Sequence, residues 1–187
     1  MASGDEAAEF TVTNSTNSKP ATLNFRVPYW LAGPAVLSIN GQEQSRTSKP
    51  STYLNATRVW KEGDVVKLTL PAALRIEHAK DSTSLVSIFH GPVLLAGELG
   101  RDGIRREVGD KDMNLRVPRP PVPAIVSSSQ DPKDWFDPDP ATRQVFKLSA
   151  VGPASAIVFR PLYDLHHQRY SVYWPLEAPT QQSSKAN

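Results

Sequence analysis

Asp164 and the run His166-His167-Gln168-Arg169 form the densest group of side chains that could do chemistry in this sequence. Adjacent imidazoles beside a carboxylate are the material of metal ligation or of proton transfer near neutral pH. Neighbouring positions of an extended strand point to opposite faces, however, so His166 and His167 would need a bend to converge on one ion. The run is therefore read as a structural polar cluster. One histidine is packed or hydrogen-bonded at a domain contact, and Arg169 pairs with a carboxylate or with carbonyl oxygens.

Aromatic side chains suggest a second chemistry. Tyr29-Trp30 and Trp135, beside prolines or loops, could stack on the C–H face of a sugar ring. Trp60 and Trp174 lie in alternating strand patterns and are expected in a core, where a buried indole removes about 150–250 Å² from water. Asp131, Asp134, Asp137 and Asp139 make an oxygen-rich loop, but they lack the order and the glycine of a calcium loop and read as turn-formers beside prolines. Glu77 with His78, and Glu98 near Arg101, are carboxylates that glycoside cleavage would need in pairs roughly 5–10 Å apart. Spacing in the sequence supplies no such distance, so no catalytic residue and no metal ligand is assigned.

Composition narrows the classes further. The 187 residues contain 21 basic and 19 acidic side chains, and no stretch concentrates the Lys and Arg needed to displace counterions from phosphates, which excludes a nucleic-acid footprint. Arg105-Arg106 reads as a pair of solvated loop charges. Cysteine is absent, and with it disulfides, thiolate zinc sites and thiol nucleophiles. The acidic, polar start carries no apolar signal core, no run is long enough to span a bilayer, and compartment is left unassigned. Asn14-Ser15-Thr16 and Asn55-Ala56-Thr57 are sequons by composition only. Seventeen prolines against ten glycines disfavour long helices.

The elements that must position these residues read as strands. Leu23, Phe25 and Val27 alternate with polar residues and should face a core. Residues 36–39 lead into Asn40-Gly41, the strongest short hairpin signal, because both residues tolerate positive φ. Residues 53–60 and 65–70 read as strands around a tight turn at Lys61-Glu62-Gly63-Asp64, and Val66, Leu68 and Leu70 share a face. Short apolar runs at 85–89 and 93–96 flank His90-Gly91-Pro92. Residues 100–140 are proline-rich connector, with room for one short strand near 124–126. Strands return at 144–148, 156–159 and 170–174, the last placing Tyr170, Val172 and Trp174 on one face.

The ordered motifs Leu23-Asn24-Phe25-Arg26-Val27-Pro28-Tyr29-Trp30, Ile39-Asn40-Gly41 and Arg58-Val59-Trp60-Lys61-Glu62-Gly63-Asp64 resemble glycoside hydrolase family 127. So do Leu74-Arg75-Ile76-Glu77, His90-Gly91-Pro92-Val93-Leu94-Leu95-Ala96 and Leu165-His166-His167-Gln168-Arg169-Tyr170, and the likeness spans residues 10–176. The resemblance implies β-sandwich domains that follow a helical-barrel catalytic domain. In that family the barrel carries a cysteine nucleophile, a glutamate acid/base and a zinc held by cysteines and a glutamate. Nothing in this chain matches those motifs, so no cofactor is assigned to it.

The expected fold is all-β: a disordered lead-in at 1–9, an antiparallel, jelly-roll-like β-sandwich over 10–99, a connector with a second, proline-rich β lobe over 100–176, and a disordered tail at 177–187. The expected function is that of a structural accessory region whose partner is the helical-barrel catalytic domain, with plant-type or arabinose-containing glycans as further partners. A self-standing carbohydrate-binding module is the second reading, and a residual glycosidase the third.

Overall fold

The computed structural model describes residues 6–15, 18–104, 120–149 and 152–179, and among them regular structure consists of fifteen β-strands and two single 3-10 turns. Arg105-Arg106, the Pro118-Arg119 start of the proline run, the third residue of the first sequon and the ends of the chain lie outside the described residues. Two units emerge, residues 1–73 and residues 74–187.

The first unit holds β1 (Glu6–Thr11), β2 (Ala21–Val27), β3 (Ala35–Ile39), β4 (Gln42–Thr47), β5 (Thr52–Arg58) and β6 (Val65–Leu70). An antiparallel sheet in the order β1-β6-β3-β4 and an antiparallel pair β2-β5 share one core of Val27, Leu37, Ile39, Leu54, Trp60, Val66 and Leu68. This is the sandwich layering that alternating strands demand. Residues 6–9, expected as lead-in, instead belong to β1. Their Glu-Ala-Ala-Glu sequence has weak strand preference, and pairing with β6 supplies what local preference does not. Leu23 is on the core-facing side of β2, opposite Ala56, yet it is 38% exposed because β2 is an edge strand.

Asn40-Gly41 closes the β3–β4 hairpin with φ of 51° and 78°, the double left-handed turn that suits strand twist. Asn40 also ties this turn to the next one. Its Nδ2 donates to Asp64 Oδ1 at 2.9 Å, and its Oδ1 accepts from the Val65 amide at 2.8 Å. Asp64 Oδ2 accepts from the Lys61 amide at 2.9 Å, closing the 61–64 turn. The Asn40 hydrogen bond, the Lys61 amide and the nearby Arg58 hold the Asp64 carboxyl below the ordinary aspartate range. A depressed folded-state pKa stabilises fully above the unfolded value, about 3.9, and the contribution disappears as pH falls through the lower folded value. Asp64→Asn should therefore be less stable than the parent near neutrality, with the gap closing in acid. Urea titrations across that range check this, and a pH-independent gap would refute it.

The second unit holds β7 (Leu74–Ala79), β8 (Ser82–His90), β9 (Val93–Glu98), β10 (Ile125–Val126), β11 (Phe136–Pro138), β12 (Phe146–Leu148), β13 (Val158–Pro161), β14 (Tyr170–Ser171) and β15 (Trp174–Glu177). Its main sheet runs β10-β15-β8-β9-β13-β12-β11, with β7 on the other edge of β8 and β14 on β9. All its pairs are antiparallel except β10 with β15. The sequence reading ended the first sandwich at residue 99; the structure divides the chain after Ala73, because β8 and β9 pair with β15, β13 and β14 rather than with the first six strands.

The β8–β9 hairpin splays past the Ile88–Leu95 pair, and the gap is filled from the far end of the chain. β15 takes the edge of β8 at Val86, and β14 takes the edge of β9 at Gly97. The single strand expected at 170–174 is thus two strands on two partners. The break lies where Ser171 Oγ donates to the Tyr173 carbonyl at 2.7 Å and accepts from its amide at 3.2 Å, a local turn that competes with the ladder. Tyr170 is in consequence exposed while Trp174 is fully buried. Glu177, expected in the tail, ends β15, and the connector contains the short strand β10 as expected.

Candidate functional site

The cluster singled out by sequence belongs to a polar hollow at the end of β9. The Leu99 amide donates to the Arg169 carbonyl at 2.8 Å and the Arg169 amide to the Gly100 carbonyl at 2.9 Å, fastening residues 165–169 alongside the β9 terminus. Gly100 at φ +84° and His167 at φ +53° supply the reversals that this path needs. The hollow, about 560 Å³, is lined by Glu98, Arg101, Arg160, Asp164, His166 and Gln168. Glu98 Oε1 and Arg160 Nε form an ion pair, each side chain partly buried. Arg169 points its guanidinium at the Asp102 carbonyl.

Of the cluster read from sequence, then, His166 lines the hollow, Arg169 braces its wall, and His167 is not among its lining residues. Both histidines are exposed. Arg160 escaped the sequence reading: it sits on β13, far along the chain from Glu98, and only the β9–β13 pairing brings the two together. Tyr170, read as sharing a face with Val172 and Trp174, lies opposite Glu98 in the β9–β14 register and is 49% exposed.

The aromatic candidates separate. Trp135 is fully buried, with its Nε1 donating to the Ser129 carbonyl at 3.0 Å and its own carbonyl accepting from Ser149, so no ring face is left for a sugar. Its position at the end of a 3-10 turn folds it inward. Tyr29 is 61% exposed and Trp30 partly buried, in the turn after β2. Trp60 and Trp174 are core, as expected.

The carboxylates have local duties. Asp131 caps the 3-10 turn Pro132–Asp134 by accepting from the Lys133 amide at 3.0 Å, and Asp139 accepts from the amides of Ala141 and Thr142. Glu77 pairs with Arg75, and His78 Nδ1 donates to the Thr83 carbonyl at 2.7 Å. Among the described residues no three His, Asp or Glu side chains gather in a geometry that could hold a metal. The zinc that the resemblance attaches to its family needs cysteine thiolates, and with no cysteine the residues of this chain do not fit it.

Residues 2–72 match a family model described as beta-L-arabinofuranosidase, GH127 middle domain, and residues 75–176 match one described as a domain of unknown function. No curated protein sequence matches the chain. Among solved structures, a glycoside hydrolase aligns with a TM-score of 0.60 at 19% identity, over 91% of this chain and 30% of its own length. A GH127 beta-L-arabinofuranosidase from Geobacillus stearothermophilus T6 aligns with a TM-score of 0.54 at 19% identity, over 93% of this chain and 29% of its own. A GH127 beta-arabinofuranosidase gives 0.54 and 16%, over 91% and 31%. At these identities the likeness is one of fold, and the chain spans about three-tenths of the structures it matches.

Proposed function

Since the chain belongs to the domain-of-unknown-function family matched by residues 75–176, joined to a GH127 middle domain to form a GH127-related β region, we propose that it is the non-catalytic accessory part of a β-L-arabinofuranosidase-like glycoside hydrolase. It works by packing on a helical-barrel catalytic domain that this chain does not contain. The observation that carries this reading is the pair of adjacent matches in that order, over β units covering about three-tenths of two GH127 structures. In this reading the chain has no nucleophile or cofactor of its own, in keeping with its lack of cysteine.

The first unit offers a surface suited to such packing. Phe10 on edge strand β1 and Leu23 on edge strand β2 are 50% and 38% exposed, and Phe10 leans on Phe25 at 5.8 Å between ring centroids. Apolar side chains left open at the rim of a sandwich gain by meeting another apolar surface.

The test compares hydrolysis of an aryl β-L-arabinofuranoside by the purified chain, by a GH127 barrel fragment prepared without its β region, and by the two mixed. The chain alone should release nothing, and mixing should raise the barrel's activity and melting temperature. Phe10→Ser with Leu23→Ser should cost the isolated chain only about 1 kcal/mol, as for partly exposed sites, yet abolish the effect of mixing. Hydrolysis by the chain alone overturns the reading, as does a barrel indifferent to it.

A further inference from the structure

We propose that the hollow at the end of β9 is a binding site for a neutral saccharide, with the Tyr170 ring as its stacking surface. The site stands on its own geometry and does not depend on the chain packing against a barrel.

The charge of the hollow defines the ligand. Two guanidiniums, Arg101 and Arg160, face two carboxylates, Glu98 and Asp164, so the lining carries no formal net charge with His166 neutral. An isolated phosphate or carboxylate would meet as much repulsion as attraction there. A ligand with many hydroxyls meets the opposite situation, since each hydroxyl both donates and accepts. The carboxylates accept from it, the guanidiniums donate to it, and the Gln168 amide and the His166 imidazole do both. Glu98 and Arg160 already form an ion pair, which keeps the two charges side by side in the hollow before any ligand arrives. A volume of about 560 Å³ is within the range of small-molecule sites, about 300–1,000 Å³.

A sugar also needs a flat apolar surface for its C–H face. Tyr170 lies directly opposite Glu98 in the β9–β14 register, and directly opposed residues project from the same face of a sheet, so its ring is on the sheet face of the Glu98 carboxylate although it is not itself part of the hollow's lining. It is 49% exposed, while the other strand-end aromatic of this segment, Trp174, is wholly consumed by the core. Tyr163, one residue before Asp164, is 64% exposed on the 3-10 turn that forms another part of the rim. Tyrosine combines apolar area with a polar tip and few rotatable bonds, which suits partial exposure beside water.

The experiment is affinity electrophoresis of the full chain in native gels containing soluble arabinan, arabinogalactan or neutral β-glucan, with polygalacturonate as the anionic comparison. At least one neutral polysaccharide should retard the parent chain. Tyr170→Ala should weaken that retardation about tenfold, the loss expected for truncating an aromatic anchor, and Tyr170→Phe should retain it. His166→Ala and Glu98→Gln should each weaken it, and melting curves establish that each variant is folded. Absence of retardation in every neutral gel overturns the proposal. So does retardation that survives Tyr170→Ala combined with His166→Ala, or retardation confined to polygalacturonate and erased by salt. None of these outcomes bears on the mixing test with the barrel, so the two readings fail separately.

Discussion

Gly97→Ala should unfold the second unit or leave it barely stable. A methyl group at Gly97 would lie 2.2 Å from Cζ2 and 2.8 Å from Cη2 of Trp174, and 3.0 Å from Cζ of Phe159. Trp174 and Phe159 are both fully buried, with rings 4.8 Å apart, and Phe159 in turn meets Phe136 at 4.9 Å. Neither ring can withdraw without displacing the next. Ordinary overpacking costs about 1–3 kcal/mol, and a contact this short against rigid neighbours should reach or exceed about 3 kcal/mol, a large share of the roughly 5–15 kcal/mol that holds a domain together. The check is a double-mutant cycle. Trp174→Phe removes the two ring atoms in question, so Gly97→Ala should cost much less in that background, and strictly additive costs would show that the clash is relieved elsewhere.

Trp135 carries the second large effect. Trp135→Ala should cost about 3–5 kcal/mol, the range for deleting a buried aromatic ring. Trp135→Phe should still carry a cost, because the half-buried Ser129 carbonyl loses the indole N–H that it accepts from, a loss of about 1 kcal/mol. Denaturant unfolding followed by tryptophan fluorescence reads both. If Trp135→Ala instead left the unfolding midpoint unchanged, the indole would not be the pillar that its burial implies.

Locally encoded features of this fold were legible in the sequence, whereas tertiary ones were not. Asn40-Gly41 and the 61–64 turn declare themselves because the conformation is chosen by the residues in the turn. The strand at Val65–Leu70 was equally plain, being bounded by that turn and by Pro71. β1 was invisible because alanines and glutamates form a strand only where a partner edge awaits them. The boundary between units was misplaced for a related reason: counting strands in order cannot reveal that β8 and β9 wait for partners from the far end of the chain. The same pairing hid the Glu98–Arg160 ion pair, while His166 and Arg169 were conspicuous merely by clustering. Trp135 was misjudged because a tryptophan among aspartates and prolines looks exposed until the 3-10 turn behind it is seen. The standing of its neighbours as turn-formers was legible, and the direction in which the turn aimed the indole was not.

The late arrival of β14 and β15 also sets a schedule for synthesis. The apolar hairpin of β8 and β9 leaves the ribosome complete, but the strands that fill its splayed gap follow some 75 residues later, which at about 5–20 residues per second is a wait of about 4–15 s. Throughout that interval the inner side chains Val86, Ile88 and Leu95 have no Trp174 to cover them. Nascent chains stalled before Trp174 should consequently be protease-sensitive beyond residue 74 and protected before it. The first unit, whose strands have all emerged by Leu70, is free to close while the second is still being made.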